Sequence, residues 1–246
     1  MDTVANIEEV LNMEWSYSGE AGPEFWSGLC PDFQTAEAET TWQSPIPLSQ
    51  TAAKKMAASD EELIFIGDPK KFKTDFFNHT IHLSPAADQE TASVEFRQTR
   101  YVLEDIHAHL PSEHVIDEKS FDLEVHFVHR SADNEVLVVG VMGKSRNEDI
   151  QEYLLNGFEE LLTEEELKQH HILELDLEQL KPKNRSFFYY SGSLTTPPTV
   201  GPVQWIVMKN AVSLPLEFIQ AFKTTIGKTN RPLQAVHDRE ITLYES

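Results

Sequence analysis

From residue 100 the chain reads Arg-Tyr-Val-Leu-Glu-Asp-Ile-His-Ala-His-Leu-Pro-Ser-Glu-His, and from residue 120 Ser-Phe-Asp-Leu-Glu-Val-His-Phe-Val-His-Arg. Each arm alternates with a period of two, the signature of a β-strand. Alternation puts Leu103, Asp105, His107 and His109 on one face of the first arm, and Glu124, His126 and Val128 together on the second. Pro111 and the run Asp117-Glu118-Lys119-Ser120 mark where the chain turns between them. The segment is expected to form a β-hairpin whose paired arms bring His107, His109 and His126 to one point.

Three neutral imidazoles around an open fourth position make a catalytic zinc site rather than a closed structural one. Imidazole also suits copper, nickel and iron, so ligand type alone does not select zinc. Asp105 and Glu124, each two residues before a histidine, are placed to accept the N–H that faces away from a metal. The alternative is a set of ordinary hydrogen-bonded strand histidines. Spacing alone does not separate the two.

A chain of 246 residues is long enough for one large domain, 1–246, with a sizeable core. No apolar run approaches the ~20 residues that span a bilayer. The formal net charge of −21 argues against nucleic acid and anionic membrane surfaces as partners. It is read as a soluble acidic surface, with adaptation to high salt as the alternative. The first ten residues have neither the basic nor the apolar region of a signal peptide. A cytoplasmic location is expected, the alternative being an exported protein whose leader has been removed. Cys30 is the single cysteine, so no intramolecular disulfide forms.

Elsewhere the pattern is of many short strands and one or two helices, which does not support α/β alternation. Residues 1–13 fit a short helix or an arm. Residues 15–47 read as irregular, and 52–62 fit either a helix or short strands. Residues 76–83 read as one strand, on which His79 and His82 can share a face only if it bulges. Residues 135–142 suit a buried central strand. Residues 147–171 form the convincing helix: Ile150, Tyr153, Leu154, Phe158, Leu161 and Leu162 fall at helical spacing, and Thr163 is placed to cap a further turn. A strand or 3-10 segment follows at 173–180, strands at 187–190 and 205–209, and a short helix at 216–224.

The wording around the histidines says more than their spacing. His-x-His-x-Pro-Ser-Glu-His at 107–114 and Glu-x-His-x-Val-His at 124–129 resemble the zinc hairpin of the α-class carbonic anhydrases in their bacterial form. In the same order come Trp15-x-Tyr17, Gly22-Pro23-x-x-Trp26, Gln43-Ser44-Pro45-Ile46, Tyr190-Ser191-Gly192-Ser193-Leu194-Thr195-Thr196-Pro197-Pro198, Val203-x-Trp205-Ile206-Val207 and Arg231-Pro232-x-Gln234. The resemblance runs from about Trp15 to Ile241. It implies a mostly β (α+β) fold: a large, twisted, mainly antiparallel central sheet with a few short peripheral helices.

It also implies the chemistry. Zn²⁺ on His107, His109 and His126 would lower the pKa of a bound water to roughly 7, a figure for which carbonic anhydrase is itself the standard example. The resulting hydroxide would attack carbon dioxide to give bicarbonate, the proton being the one that the bound water loses when it ionises. His79 stands at the position of the proton shuttle, a role that suits a group titrating near neutrality. Thr195 is matched to the residue that orients the hydroxide, with Glu113 accepting the threonine proton. Tyr17 and His82 line the cavity, Thr196 orients bicarbonate, and Val128, Val138, Leu194, Val203 and Trp205 form the apolar wall for carbon dioxide. Sulfonamides and anions are the implied inhibitors, and a homodimer is the form common among bacterial relatives.

Departures from the pattern carry expectations of their own. Relatives usually have glutamine where this chain has Asp105. A carboxylate there pushes electron density through His107 and raises the pKa of a metal-held water, provided the shorter side chain reaches. Thr229 stands where relatives often have asparagine, but a backbone carbonyl toward His109 is what the position offers. Ile106 and Ala108 replace aromatics on the opposite face. Thr199 replaces the cysteine that pairs with the one at 30 in exported relatives, which favours a reducing compartment. A carbonic-anhydrase-like interaction module and a metalloesterase are the competing readings; the retained histidines, Glu113 and Thr195 weigh against the first.

Overall fold

The computed structural model describes residues 14–36, 42–58, 62–146, 155–156 and 171–246. In chain order the first strands are β1 (Pro47–Leu48), β2 (Lys54–Ala57), β3 (Leu63–Ile66), β4 (Lys71–Phe77), β5 (Thr80–Pro85) and β6 (Ser93–Phe96). Then come β7 (Thr99–His109), β8 (Val115–Ile116), β9 (Leu123–Ser131), β10 (Val136–Arg146), β11 (Leu155–Asn156) and β12 (Ile172–Leu175). The last are β13 (Phe187–Gly192), β14 (Val203–Met208), β15 (Val212–Pro215) and β16 (Thr242–Glu245). The helices among the described residues are α1 (Trp26–Leu29) and α2 (Leu216–Ile226), with short 3-10 turns between strands. No helix among them is long and apolar enough to cross a membrane.

Apart from the small β1–β8 pair, the strands form one 14-stranded sheet whose main path is β11-β12-β4-β5-β7-β9-β10-β14-β13-β16-β2. Its pairings are antiparallel except β10 with β14 and β15, and β16 with β2. Alternation along the central strands divides the core into two layers. Val125, Phe127, Leu137 and Val139 pack on the face covered by Ile219 and Phe222 of α2. Val138, Met142, Val203, Trp205 and Val207 pack on the other. The strand read at 135–142 lies near the middle of this sheet, buried from Leu137 to Gly143.

The β7–β9 pairing is the hairpin expected from the histidine pattern, with His107 opposite His126 and His109 opposite Glu124. One expectation about its faces is corrected. The register shifts between Leu103 and Asp105, so Leu103 pairs with His129 and Asp105 with Val128. The extra residue, Glu104, is a bulge that reverses the alternation. Leu103 therefore packs with Ile106 and Ala108 in the layer under α2 and does not share the face of Asp105, His107 and His109.

The single strand expected at 76–83 is likewise corrected. β4 and β5 are the two arms of a hairpin, and Asn78 and His79 form its turn with φ of 48° and 62°. Two consecutive positive φ values match the twist of a two-residue hairpin, and asparagine tolerates them well. The described residues of 52–62 contain the strand β2 rather than a helix, and 173–180 holds both a strand and a 3-10 turn. Most of the helix expected at 147–171, including Ile150, Tyr153, Phe158, Leu161, Leu162 and Thr163, lies outside the described residues. Within it, Leu155 and Asn156 are extended and pair with β12, so no continuous helix runs through them.

Candidate metal centre

His107, His109 and His126 bring one nitrogen each to within 4.8 Å of one another. Their ring centroids are 5.1 Å (107–109), 5.3 Å (107–126) and 4.7 Å (109–126) apart. In each ring the other nitrogen is taken by an acceptor. His107 Nδ1 donates to Asp105 Oδ2 at 2.6 Å, and His109 Nδ1 to the carbonyl of Thr229 at 2.6 Å. His126 Nε2 donates to Glu124 Oε1 at 3.0 Å. Acceptors can only be served by N–H, so each tautomer is set and each remaining nitrogen carries a lone pair. His109 Nε2 is buried and has no partner among the described residues. Inward-facing lone pairs without donors are the arrangement a divalent cation satisfies, and the donor set fits zinc. Asp105 does span the distance to His107 that its shorter side chain placed in question.

Burial keeps His109 and His126 neutral. It pushes the His109 pKa well below the ordinary imidazole value, aided by His126 and His107 beside it. It lowers that of His126 to about 4 against the pull of Glu124. A neutral imidazole is the ligand form.

Glu124 is the node of a buried network. Burial alone would raise its pKa, but His114 and His126, whose ring N–H groups it accepts, hold it well below the usual carboxylate range. Its Oε2 accepts the backbone N–H groups of Glu113 (2.9 Å) and His114 (2.8 Å), and Oε1 accepts from His114 Nδ1 (2.7 Å) as well as from His126. Gly140, opposite His126, leaves it room: a Cβ there would stand 2.8 Å from Glu124 Oε1. His114 continues the network to the Tyr190 hydroxyl at 2.6 Å, which reaches Ser44 Oγ at 2.9 Å. His114 was part of the sequence motif without a role of its own.

Glu113 Oε1 accepts the Arg231 backbone N–H at 2.8 Å, and its Oε2 lies 3.7 Å from His109 Nε2. Burial pushes its pKa well up, opposed by the hydrogen bond from the Arg231 backbone N–H and by Thr195 nearby, while Oε2 meets no hydrogen-bond partner among the described residues. A cation among the histidines would favour the ionised form. The Arg231 guanidinium, almost wholly buried, donates to Gln43 Oε1 and the Ser44 carbonyl, each at 2.8 Å. Two sequence motifs far apart in the chain thus close on each other beneath Glu113. The motifs were visible, but nothing in them announced the contact.

Among the other expected site residues, Trp205 packs edge-on against His126 with centroids 4.9 Å apart. Val138 and Val203 lie in its buried layer, with Val128 and Leu194 packed against it. Thr195 is buried, and the Thr196 carbonyl accepts the Thr199 N–H at 2.8 Å, closing the loop after β13. Tyr17 faces His109, ring centroids 6.4 Å apart, and its hydroxyl has no partner among the described residues. His79 is exposed on the β4–β5 turn, with Nε2 2.5 Å from the Trp15 carbonyl and its ring 6.1 Å from that of Tyr17. His82 is buried and lies across from His107 on the neighbouring strand.

The family model for the eukaryotic-type carbonic anhydrases matches residues 21–245. A carbonic anhydrase of Nostoc sp. is 29% identical over 239 residues, covering 96% of this chain and 88% of the relative. One from Klebsiella pneumoniae is 29% identical over 235 residues, covering 94% and 92%. Among solved structures, the α-carbonic anhydrase of Thermovibrio ammonificans in complex with the inhibitor sulfanilamide superposes with a TM-score of 0.78. It is 32% identical, with 94% of this chain and 99% of that one covered.

Proposed function

Since the chain belongs to the eukaryotic-type carbonic anhydrase family, whose enzymes hydrate carbon dioxide, we propose that it does so with a zinc ion held by His107, His109 and His126 and with His79 as proton shuttle. One observation carries the reading: each of the three rings spends one nitrogen on a fixed acceptor and turns the other toward its neighbours. Zinc held there would acidify a water molecule and so supply a nucleophile near neutral pH.

The chain's own residues do the rest. Asp105, Glu124 and the Thr229 carbonyl hold the ligand rings in the tautomers that present a lone pair. Glu113, with Oε1 committed to Arg231, leaves Oε2 to accept a hydrogen bond from the Thr195 hydroxyl. Thr195 Oγ1 would then have only lone pairs to offer and would accept a hydrogen bond from the nucleophile, which fixes the direction of attack. Val128, Val138, Leu194, Val203 and Trp205 exclude water from the side where carbon dioxide rests, and Thr196 orients the bicarbonate product. His79 takes the excess proton toward buffer once its ring leaves the Trp15 carbonyl, an exchange its exposed turn allows. The same reading treats 1–246 as one domain and extends sulfonamide inhibition to this chain.

The test is rapid-mixing carbon dioxide hydration on metal-quantified protein, with and without an aromatic sulfonamide. Stoichiometric zinc, and hydration abolished by chelation and by the sulfonamide, are expected. Zinc-free protein of undiminished activity would overturn the metal assignment, and zinc-loaded protein without activity would overturn the mechanism.

A further inference from the structure

Asp105 serves two histidines. Its Oδ2 accepts from His107 Nδ1 at 2.6 Å, and its two oxygens accept from His82 Nδ1 at 3.0 and 2.9 Å. His82 stands directly across from His107 in the β5–β7 pairing. Its ring lies flat on Phe77, with centroids 3.5 Å apart and planes at 11°. Because the carboxylate can only accept, His82 carries its proton on Nδ1. His82 Nε2 is buried and has no partner among the described residues. The polar commitment of this side chain is therefore to Asp105. Aspartate, meanwhile, needs an anchor: it follows the Glu104 bulge, its side chain is 22% exposed, and its terminal torsion is broad.

We propose that His82 is a positioning residue of the metal centre: donating Nδ1–H to both oxygens of Asp105, it aims that carboxylate at His107 Nδ1 and takes up part of its charge. The inference rests on the zinc reading of His107, His109 and His126. Without His82 the Asp105 carboxylate turns toward solvent, His107 loses its fixed tautomer and ring direction, and the cation leaves faster. Groups that contact a ligand histidine directly change metal affinity by about 10–100-fold. One contact further out, the lower end applies.

The experiment measures zinc release from the full chain to a chromogenic chelator, alongside thermal unfolding of the metal-free protein. His82→Phe keeps a flat ring against Phe77 and removes the donor; His82→Asn restores an N–H near the place of Nδ1. Release about tenfold faster in His82→Phe, close to parental in His82→Asn, is expected. In an Asp105→Ala background His82→Phe should add nothing, because the coupling runs through the carboxylate. Equal release from parent and His82→Phe overturns the proposal, as does equally fast release from the phenylalanine and asparagine variants. Should His82→Phe not fold, His82→Leu supplies the donor-free comparison with the same outcomes. A parent that holds no zinc overturns the site reading and this inference with it; a zinc-loaded parent matched by His82→Phe overturns this inference alone.

Discussion

Replacing Glu124 with glutamine removes one charge and almost no volume, so it isolates the polar network. The side chain is fully buried and accepts four N–H groups: two from backbone at Glu113 and His114, two from the imidazoles of His114 and His126. An amide has one accepting oxygen, so two donors must face its NH2 group whichever way it turns. Each buried donor left unsatisfied costs about 1–3 kcal/mol, which puts the loss near 2–6 kcal/mol. The imidazoles have an escape that the backbone lacks. With the NH2 toward His126, that ring can move its proton to Nδ1 and accept at Nε2. Folding is then cheaper, but the lone pair offered to a metal is gone. Stability loss at the low end of the range should therefore accompany metal affinity reduced by as much as about 100-fold. Guanidinium unfolding of the metal-free protein and chelator competition for zinc measure the two effects. A stability loss under about 1 kcal/mol together with unchanged zinc affinity would refute the network as the source of both.

Further expectations follow from other groups. Burial lowers the pKa of both His126 and His129 to about 4, while an unfolded imidazole titrates near 6.5. Below pH 6.5 the unfolded chain takes up protons the folded one refuses, so stability of the metal-free protein should be full above that pH and decline toward pH 4. A 2.5-unit gap is worth about 3 kcal/mol per group, and an unfolding midpoint flat between pH 7 and 4.5 would contradict it. His79→Ala should slow hydration in weak buffer and regain rate when imidazole is added; an unchanged rate removes His79 from the proton path. Asp105→Gln should move the pH–rate profile to lower pH, because the carboxylate contact to His107 is made at 2.6 Å. An unmoved profile would show that the charge at 105 does not reach the reacting water.

Part of the site was legible because its chemistry is local in sequence. His107 and His109 are two apart on one strand, and each acid lies two residues before the histidine it supports, so period-two alternation was enough to group them. The break at Glu104 was not legible. A bulge shifts the phase by one residue, and Leu103, apolar and alternating, looks the same on either face until its partner on β9 is known. His79 and His82 looked like one strand because neither glycine nor proline marks the Asn78–His79 turn.

By itself the sequence determined the strand-rich class, the hairpin of histidines and the grouping of His107, His109 and His126, since alternation and residue chemistry act over a few positions. Tertiary structure alone decided that Arg231 closes on Gln43 and Ser44, and that Glu124 gathers four donors. It also decided that His82 shares Asp105 with His107. Those partners come from separate strands and loops. A buried donor or acceptor is satisfied by whatever group packing delivers to it, and the order of residues along the chain does not record which group that will be.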